Sequence, residues 1–235
     1  MAIKEPTIEQ LIKEDENHYC KNVPEVCVKM VAVANLPSRF GKFKVVAFYN
    51  NYDKKEHVAF IRGDVCEKEN VPLRMHSECL TGDAIGSLRC DCRDQLEKSL
   101  KSIGKQKNGI LLYLRQEGRG IGLTNKIKAY QLQDSGYDTL EANKVLGFKA
   151  DERDYAIAAH MIRSLKIKSI KLMSNNPHKI KDLKKHGINI IGRIPVIIPP
   201  NKYNKFYLET KRTKAGHLLD IKRSKDILEQ RDNLD

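Results

Sequence analysis

Apolar and polar residues alternate along the chain with two different spacings, one typical of strands and the other of helices. Short apolar runs predict strands at 44–49, 58–62, 72–75, 110–114, 169–173 and 188–198. Apolar residues three or four positions apart predict helices at 94–105, 125–133, 155–165 and 176–187. Helices and strands that alternate at these lengths predict an α/β fold (mixed α+β), in which a single domain has a mixed sheet flanked by helices.

The composition is that of a globular protein, because 40% of the 235 residues are hydrophobic and 31% are charged. No apolar run approaches the roughly 18 residues of a membrane span, and the N-terminus lacks the apolar core of a signal peptide. We therefore expect a soluble, cytoplasmic protein. The net charge of +13 predicts an anionic partner, which could be a nucleic acid, a membrane surface or a phosphorylated metabolite.

Three of the six cysteines, Cys79, Cys90 and Cys92, fall within fourteen residues. Disulfides are rare in a reducing compartment, so metal ligation or nucleophilic chemistry is the expected role of this cluster. Three thiolates can hold zinc tetrahedrally near the sheet and leave one position for water, as in catalytic sites. His76 could instead close the shell as a fourth ligand, which would make the site structural.

Acidic residues beside the cysteines could assist such a water. Glu78 and Asp83 are close enough in sequence for general acid–base chemistry, although they could equally form salt bridges with Arg74 or Arg89. The segment 76–78 fits the first half of the nucleobase-deaminase signature, but the second half, P-C-x-x-C, does not follow it.

A glycine-rich segment at 117–122 lies between a predicted strand and a predicted helix. Small residues there let backbone N–H groups approach a phosphate, and the following helix N-terminus adds a favourable dipole. Arg119 favours an anion site, because a guanidinium can bind phosphate through two hydrogen bonds. The alternative is a tight turn. Two further segments, 151–154 and 174–179, are in isolation ordinary helix starts, with Asp151 as the cap of the first.

Seven motifs taken together resemble the GTP cyclohydrolase II family. They occur in consistent order at residues 74–83, 87–92, 115–123, 138–143, 150–155, 174–177 and 216–219. The match runs from about residue 34 to residue 219, so it is far more specific than any single motif. It implies a catalytic domain at 34–219, with an N-terminal extension of unknown role at 1–33 and a charged C-terminal tail at 220–235.

The family hydrolyses GTP as the first step of riboflavin biosynthesis. It releases formate and pyrophosphate and leaves 2,5-diamino-6-ribosylamino-4(3H)-pyrimidinone 5′-phosphate. The resemblance implies one zinc ion per subunit, held by Cys79, Cys90 and Cys92, whose water attacks C8 of the guanine ring. It further implies that Asp151 is the proton acceptor and that Arg153 is the nucleophile at the α-phosphorus.

Other roles follow from the same resemblance. Tyr130 would support turnover past the formylated intermediate, and Mg²⁺ would accompany the triphosphate. The residues implied in GTP binding are Arg74, Met75, His76, Ser77, Glu78, Gln95, Glu117, Gly118, Arg119, Thr139, Ser174 and Lys179. Family members are typically homodimers with a small-molecule substrate, so neither nucleic acid nor a membrane is an expected partner. This chain has Ser174 where threonine is common, and serine keeps the hydroxyl.

Two alternatives stay open at the level of sequence. A basic nucleic-acid-binding protein with a structural zinc would account for the charge, although aromatic residues make up only 6% of the chain. A paralogue that stops at the formylated intermediate would keep the same motifs and release a different product.

Overall fold

The computed structural model describes residues 5–16, 18, 26–213, 216 and 218, without the side chains at 206 and 210–212. Within these residues, one sheet contains the strands β1 (Val28–Ser38), β2 (Gly41–Asn50), β3 (His57–Arg62), β4 (Val71–Ser77), β5 (Gly109–Leu114), β6 (Ile170–Met173) and β7 (Ile190–Ile194). Their order across the sheet is β1-β2-β3-β5-β4-β6-β7. Neighbours from β1 to β5 pair antiparallel, whereas β5, β4, β6 and β7 pair parallel.

Helices connect and cover these strands. They are α1 (Ile8–Glu14), α2 (Leu80–Asp83), α3 (Cys92–Gly104), α4 (Gly122–Asp134), α5 (Thr139–Val145), α6 (Ala156–Ser164), α7 (Pro177–Lys185) and α8 (Lys205–Thr213). The mixed sheet with its flanking helices confirms the predicted fold class. Among the described residues, no helix is long and apolar enough to cross a membrane.

The start of α7 agrees with its sequence signal. The Asn176 side chain accepts a hydrogen bond from the His178 N–H at 2.8 Å, and Pro177 occupies the first helical position. Proline is favoured there because the first N–H groups of a helix have no partner within the helix.

Two apolar cores lie against the sheet, and β5 separates them. Ile110, Leu112 and Leu114 belong to the larger core, which α1, α6 and α7 also supply, whereas Leu111 belongs to a smaller core with Ile103 of α3. Successive residues of a strand point to opposite faces. Because β5 is covered on both faces, its sequence is a continuous apolar run rather than an alternating one.

The first strand of the sheet begins before residue 34, where the resemblance to the family places the start of the catalytic domain. Strand β1 starts at Val28 and pairs with β2 from Val28 to Ser38, so residue 34 falls inside a strand. A register shift between Met30 and Ala32 interrupts the pairing. Such a bulge breaks the two-residue alternation that reveals a strand in sequence. The proposed tail at 220–235 lies outside the described residues, as do residues 217 and 219 of the last motif.

The predicted strand at 188–198 is too long. Strand β7 covers only Ile190–Ile194, and Pro195 follows it directly. Proline has no N–H to donate to the strand ladder, which accounts for the end of pairing at this point.

The parallel strands determine where the sequence motifs meet. Strands β4, β5 and β6 end at Ser77, Leu114 and Met173, and each is followed by one of the polar segments described above. Parallel neighbours end at the same edge of a sheet, and open α/β sheets bind ligands beyond the carboxyl ends of their strands.

We predict that Gly104→Ala destabilises the protein. A Cβ at residue 104 would lie 1.9 Å from the carbonyl oxygen of Phe40, in the turn between β1 and β2. The backbone would have to move, and overpacking of this kind costs about 1–3 kcal/mol. Urea unfolding measures the loss. Gly192→Ala is the control, because its Cβ would meet only Lys171 Cγ at 3.8 Å. Equal stability of the two variants would contradict the prediction.

Candidate active site

A cavity of about 980 Å³ is lined by residues that follow β4, β5 and β6 and by residues of α4, α5 and α7. It brings together all the candidate site residues except Met75, although they are spread from residue 74 to residue 179 of the chain. The side chain of Met75 is fully buried in the larger core, because it points to the opposite face of β4 from Arg74 and His76. Its carbonyl oxygen still accepts a hydrogen bond from Lys179 Nζ at 2.9 Å.

The three clustered cysteines converge at one wall of this cavity. Cys79 follows β4, Cys90 lies in the next loop and Cys92 begins α3. The Sγ atoms of Cys79 and Cys90 are 3.8 Å apart, and all three sulfurs lie within 4.8 Å of one another. Tetrahedral zinc with Zn–S bonds of about 2.3 Å separates its sulfur ligands by about 3.8 Å. The spacing of the sulfurs therefore fits zinc.

Gly82 of α2 lets the chain close around these sulfurs. A Cβ at this position would lie 2.8 Å from Cys90 Sγ and 3.1 Å from Cys79 Sγ. Any side chain would therefore intrude on the space between the thiols. The glycine that follows Cys79 by three residues is part of the cluster's geometry.

The pKa values of the three thiols are shifted in different directions. Hydrogen bonds from Cys90 and Cys92, helped by the charge of Lys126, lower the pKa of Cys79 despite its burial. The same contacts, together with desolvation, raise the pKa of Cys92. A group of close thiols that favours a thiolate is the donor set expected of a soft-metal site.

His76 does not complete the ligand set. Its Nε2–H donates to the two oxygens of Asp83 at 2.9 and 3.0 Å. In the described part of the chain, the candidate ligand atoms around the three sulfurs include no histidine nitrogen. The His76 Nδ1 is buried with no hydrogen-bond partner. Because Asp83 holds the proton on Nε2, Nδ1 is the unprotonated acceptor of the ring.

Two acidic residues have partners that sequence spacing did not predict. Glu78 accepts from Arg115 Nε at 3.3 Å, and Asp83 accepts from the Tyr113 hydroxyl at 2.9 Å as well as from His76. The alternative in which they pair with Arg74 or Arg89 is therefore wrong. Asp83 serves to orient His76 rather than to face a water directly.

Arg153 and Asp151 form a close ion pair. Arg153 Nε donates to Asp151 Oδ1 at 2.8 Å, and Nη2 donates to Oδ2 at 2.5 Å. Burial alone would raise the pKa of Asp151, but the hydrogen bonds and charge of Arg153 hold it below its usual value. Asp151 is not a helix cap: α6 begins at Ala156, whose N–H donates to Asp154.

Arg74 and Lys179 are among the buried basic side chains of the cavity. Arg74 donates to the carbonyl of Met173 at 2.9 Å and to Gln95 Oε1 at 2.5 Å, and burial lowers its pKa to about 10. Arg74 therefore remains charged at neutral pH in a low-dielectric setting, which favours an anionic ligand. Lys179 Nζ lies 5.6 Å from the centre of the Tyr155 ring.

The glycine-rich segment forms a tight left-handed turn after β5. Gly118 and Arg119 have φ angles of 63° and 60°, a conformation that costs energy in a residue other than glycine. A Cβ at Gly118 would lie 3.1 Å from Lys126 Cβ. Glu117 accepts from the Leu80 N–H at 2.6 Å and so ties this turn to the turn that carries Cys79.

Four other candidate residues complete the lining. The Tyr130 hydroxyl lies 3.3 Å from Thr81 Oγ1, and Ser77 Oγ accepts from Arg153 at 3.4 Å. Ser174 Oγ accepts from the Asn176 N–H, and Thr139 is the first residue of α5.

The profile that describes GTP cyclohydrolase II matches residues 29–195. The chain belongs to the GTP cyclohydrolase II family. A GTP cyclohydrolase-2 from Picrophilus torridus is 56% identical over 191 residues, which cover 81% of this chain and 99% of that protein. One from Campylobacter hominis is 58% identical over 193 residues, 82% of this chain and 96% of that protein.

A longer relative matches over part of its length. The riboflavin biosynthesis protein RibBA of Synechocystis is 54% identical over 194 residues, which cover 82% of this chain but 35% of RibBA. The family profile starts at residue 29, one residue after the start of β1. Membership in the GTP cyclohydrolase II family makes this chain a hydrolase of riboflavin biosynthesis.

Lys126 is the residue of the cavity that sequence reasoning missed. It is buried, and its Nζ donates to Glu117 Oε1 at 2.9 Å and to Cys79 Sγ at 3.2 Å. The signal was present in the spacing, because Lys126 precedes Tyr130 by four residues on α4 and therefore shares its helix face.

We predict that His76 is mostly neutral at pH 6.5, where an exposed histidine is half protonated, and that its proton is on Nε2. Burial lowers the pKa of His76 more than Asp83 raises it. Long-range ¹H–¹⁵N correlation spectra distinguish both tautomers from the imidazolium. A predominantly doubly protonated ring at this pH, or a proton on Nδ1, would show that the described contact is wrong.

Proposed function

We propose that this chain converts GTP to 2,5-diamino-6-ribosylamino-4(3H)-pyrimidinone 5′-phosphate, formate and pyrophosphate, with zinc as its cofactor. One observation carries the proposal. The same cavity is lined by a three-thiol cluster suited to zinc and by the buried cations Arg74, Lys126 and Lys179. A nucleoside triphosphate fits such a cavity, because it has a base whose ring the zinc site would open and a polyanionic triphosphate that the cations would bind.

Cys79, Cys90 and Cys92 would hold one zinc ion. Bound there, Zn²⁺ would supply Lewis acidity and lower the pKa of a coordinated water to near neutral. Among the described residues the thiol cluster offers three ligands, and three protein ligands are typical of catalytic rather than structural zinc. His76 lines the cavity, and Asp83 would hold its ring in one orientation beside the purine.

The triphosphate would lie against the basic side chains of the cavity. Arg119, Lys179 and Arg153 line it together with the Ser174 hydroxyl. Guanidinium groups bind phosphate through two parallel hydrogen bonds, and lysine contributes a compact charge. Mg²⁺ would accompany the phosphate oxygens, which are the hard ligands that this ion prefers.

The Asp151–Arg153 pair supports the second half of the reaction. Attack by an Arg153 nitrogen on the α-phosphorus would form a P–N bond and break the bond to the bridging oxygen, so that pyrophosphate leaves. The guanidinium would pass its proton to Asp151, whose oxygens lie 2.5 and 2.8 Å from its nitrogens. Free arginine has a pKa above 12, and the charges of Tyr155 and Asp151 raise the pKa of Arg153 further against the effect of burial. The proton would therefore move to Asp151 only as the P–N bond forms.

Tyr130 would act after ring opening, when the formyl group is removed. Its hydroxyl contacts Thr81, two residues from Cys79, so it lies beside the proposed zinc site. We also propose that the enzyme is a cytoplasmic homodimer, as the family resemblance implies.

The first experiment identifies the products made from GTP. Mass spectrometry of the reaction should find the deformylated pyrimidinone phosphate, with formate and pyrophosphate in equal amounts. Cys90→Ser should lose both zinc and turnover. Cys27→Ser, at a cysteine outside the cavity, should keep them.

Accumulation of the formylated compound by the wild-type protein would instead support the paralogue that stops early. Strong, salt-dependent nucleic-acid binding without GTP turnover would support the nucleic-acid alternative.

The second experiment tests the arginine. Arg153→Ala should abolish pyrophosphate release, because the P–N bond cannot form, and Asp151→Asn should slow it about 10²–10⁴-fold, the usual contribution of a proton acceptor. Pyrophosphate is measured with a coupled phosphate assay. Unchanged release by Arg153→Ala would rule out the nucleophile role.

A further inference from the structure

Lys126 makes three polar contacts from a buried position on α4. Its Nζ donates to Cys79 Sγ at 3.2 Å, to Thr81 Oγ1 at 2.9 Å and to Glu117 Oε1 at 2.9 Å. Lysine is among the residues least often buried. An ammonium has three hydrogens and no acceptor, so each hydrogen of Lys126 has a partner in this arrangement.

Glu117 alone does not explain this position. Its carboxylate also accepts from the N–H groups of Leu80 and Gly118, at 2.6 and 2.8 Å. A lysine needed only as its counter-ion could remain on the solvent side of the pair. The ammonium instead reaches past the carboxylate to a sulfur of the thiol cluster.

We propose that Lys126 is a positioning residue that balances the negative charge of the thiolate cluster and fixes Cys79 for zinc. This inference rests on the zinc site proposed above. Three thiolates carry one more negative charge than a zinc ion neutralises, and the excess is costly in a buried site. An ammonium in direct contact with Cys79 Sγ compensates it.

The same ammonium connects the cluster to Tyr130. Thr81 Oγ1 must accept from Lys126, so its own hydrogen is available to the Tyr130 hydroxyl at 3.3 Å. The Lys126 Nζ also lies 5.6 Å from the centre of the Tyr130 ring, within reach of a cation–π contact. Lys126 therefore holds the proposed ligand and the proposed catalytic tyrosine in one arrangement.

Zinc affinity tests the proposal without reference to turnover. Competition with a chromophoric chelator at pH 7 should show that Lys126→Met binds zinc about 10- to 100-fold more weakly than wild type, the usual effect of removing a group that supports a metal ligand. Lys126→Arg, which keeps the charge, should recover most of the affinity. Lys128→Met is the matched control, because Lys128 is exposed on the same helix.

A double variant distinguishes the effect of Lys126 on the Cys79 thiolate from its effect on the Glu117 carboxylate. Lys126→Met leaves the Glu117 charge buried and unpaired, which could prevent folding. Glu117→Gln/Lys126→Met removes both charges of the pair and should still bind zinc weakly. Zinc affinity at the wild-type level in either the single or the double variant would overturn the proposal. Wild-type protein that binds zinc no better than Cys90→Ser would instead show that the zinc site itself is wrong.

Discussion

Burial of basic side chains at the carboxyl edge of the sheet is the constraint on which the site depends. Arg74, Lys126 and Lys179 are buried, and Arg153 has only 14% of its side chain exposed. A buried charge is costly unless other groups compensate it. Each of these cations is held by carbonyl, carboxylate, amide or sulfur acceptors of the surrounding strands, helices and turns, and together they make a cavity suited to a polyanion.

The sheet topology makes this concentration of charge possible. Residues 79, 117 and 174 are far apart in sequence, but they follow parallel strands that end at one edge. Strand β5 is an unbroken apolar run because both of its faces are covered, whereas β4 carries Arg74 and His76 on the side that lines the cavity. The hydrogen bond from the Leu80 N–H to Glu117 then joins the turns that follow these two strands directly.

Sequence patterns predicted the central elements well, because a buried strand such as β5 is an unbroken apolar run between clear breaks. They failed where local irregularity interrupts periodicity, as at the bulge after Met30 in β1 and at Pro195 after β7. The spacing of the cysteines was sufficient to predict that the three thiols lie together. It could not decide whether His76 joins them, because that depends on the contact with Asp83, and it could not reveal Lys126, whose burial arises only from tertiary packing.

The most direct test of the account is X-ray absorption at the zinc edge of the purified, metal-loaded protein. The account predicts three sulfur neighbours at about 2.3 Å and one lighter oxygen neighbour, the signature of an open catalytic site. The fine structure of the X-ray absorption spectrum distinguishes sulfur from lighter ligands, and it detects a histidine ligand through scattering from the imidazole ring. A shell closed by a fourth sulfur or by an imidazole nitrogen would contradict the account.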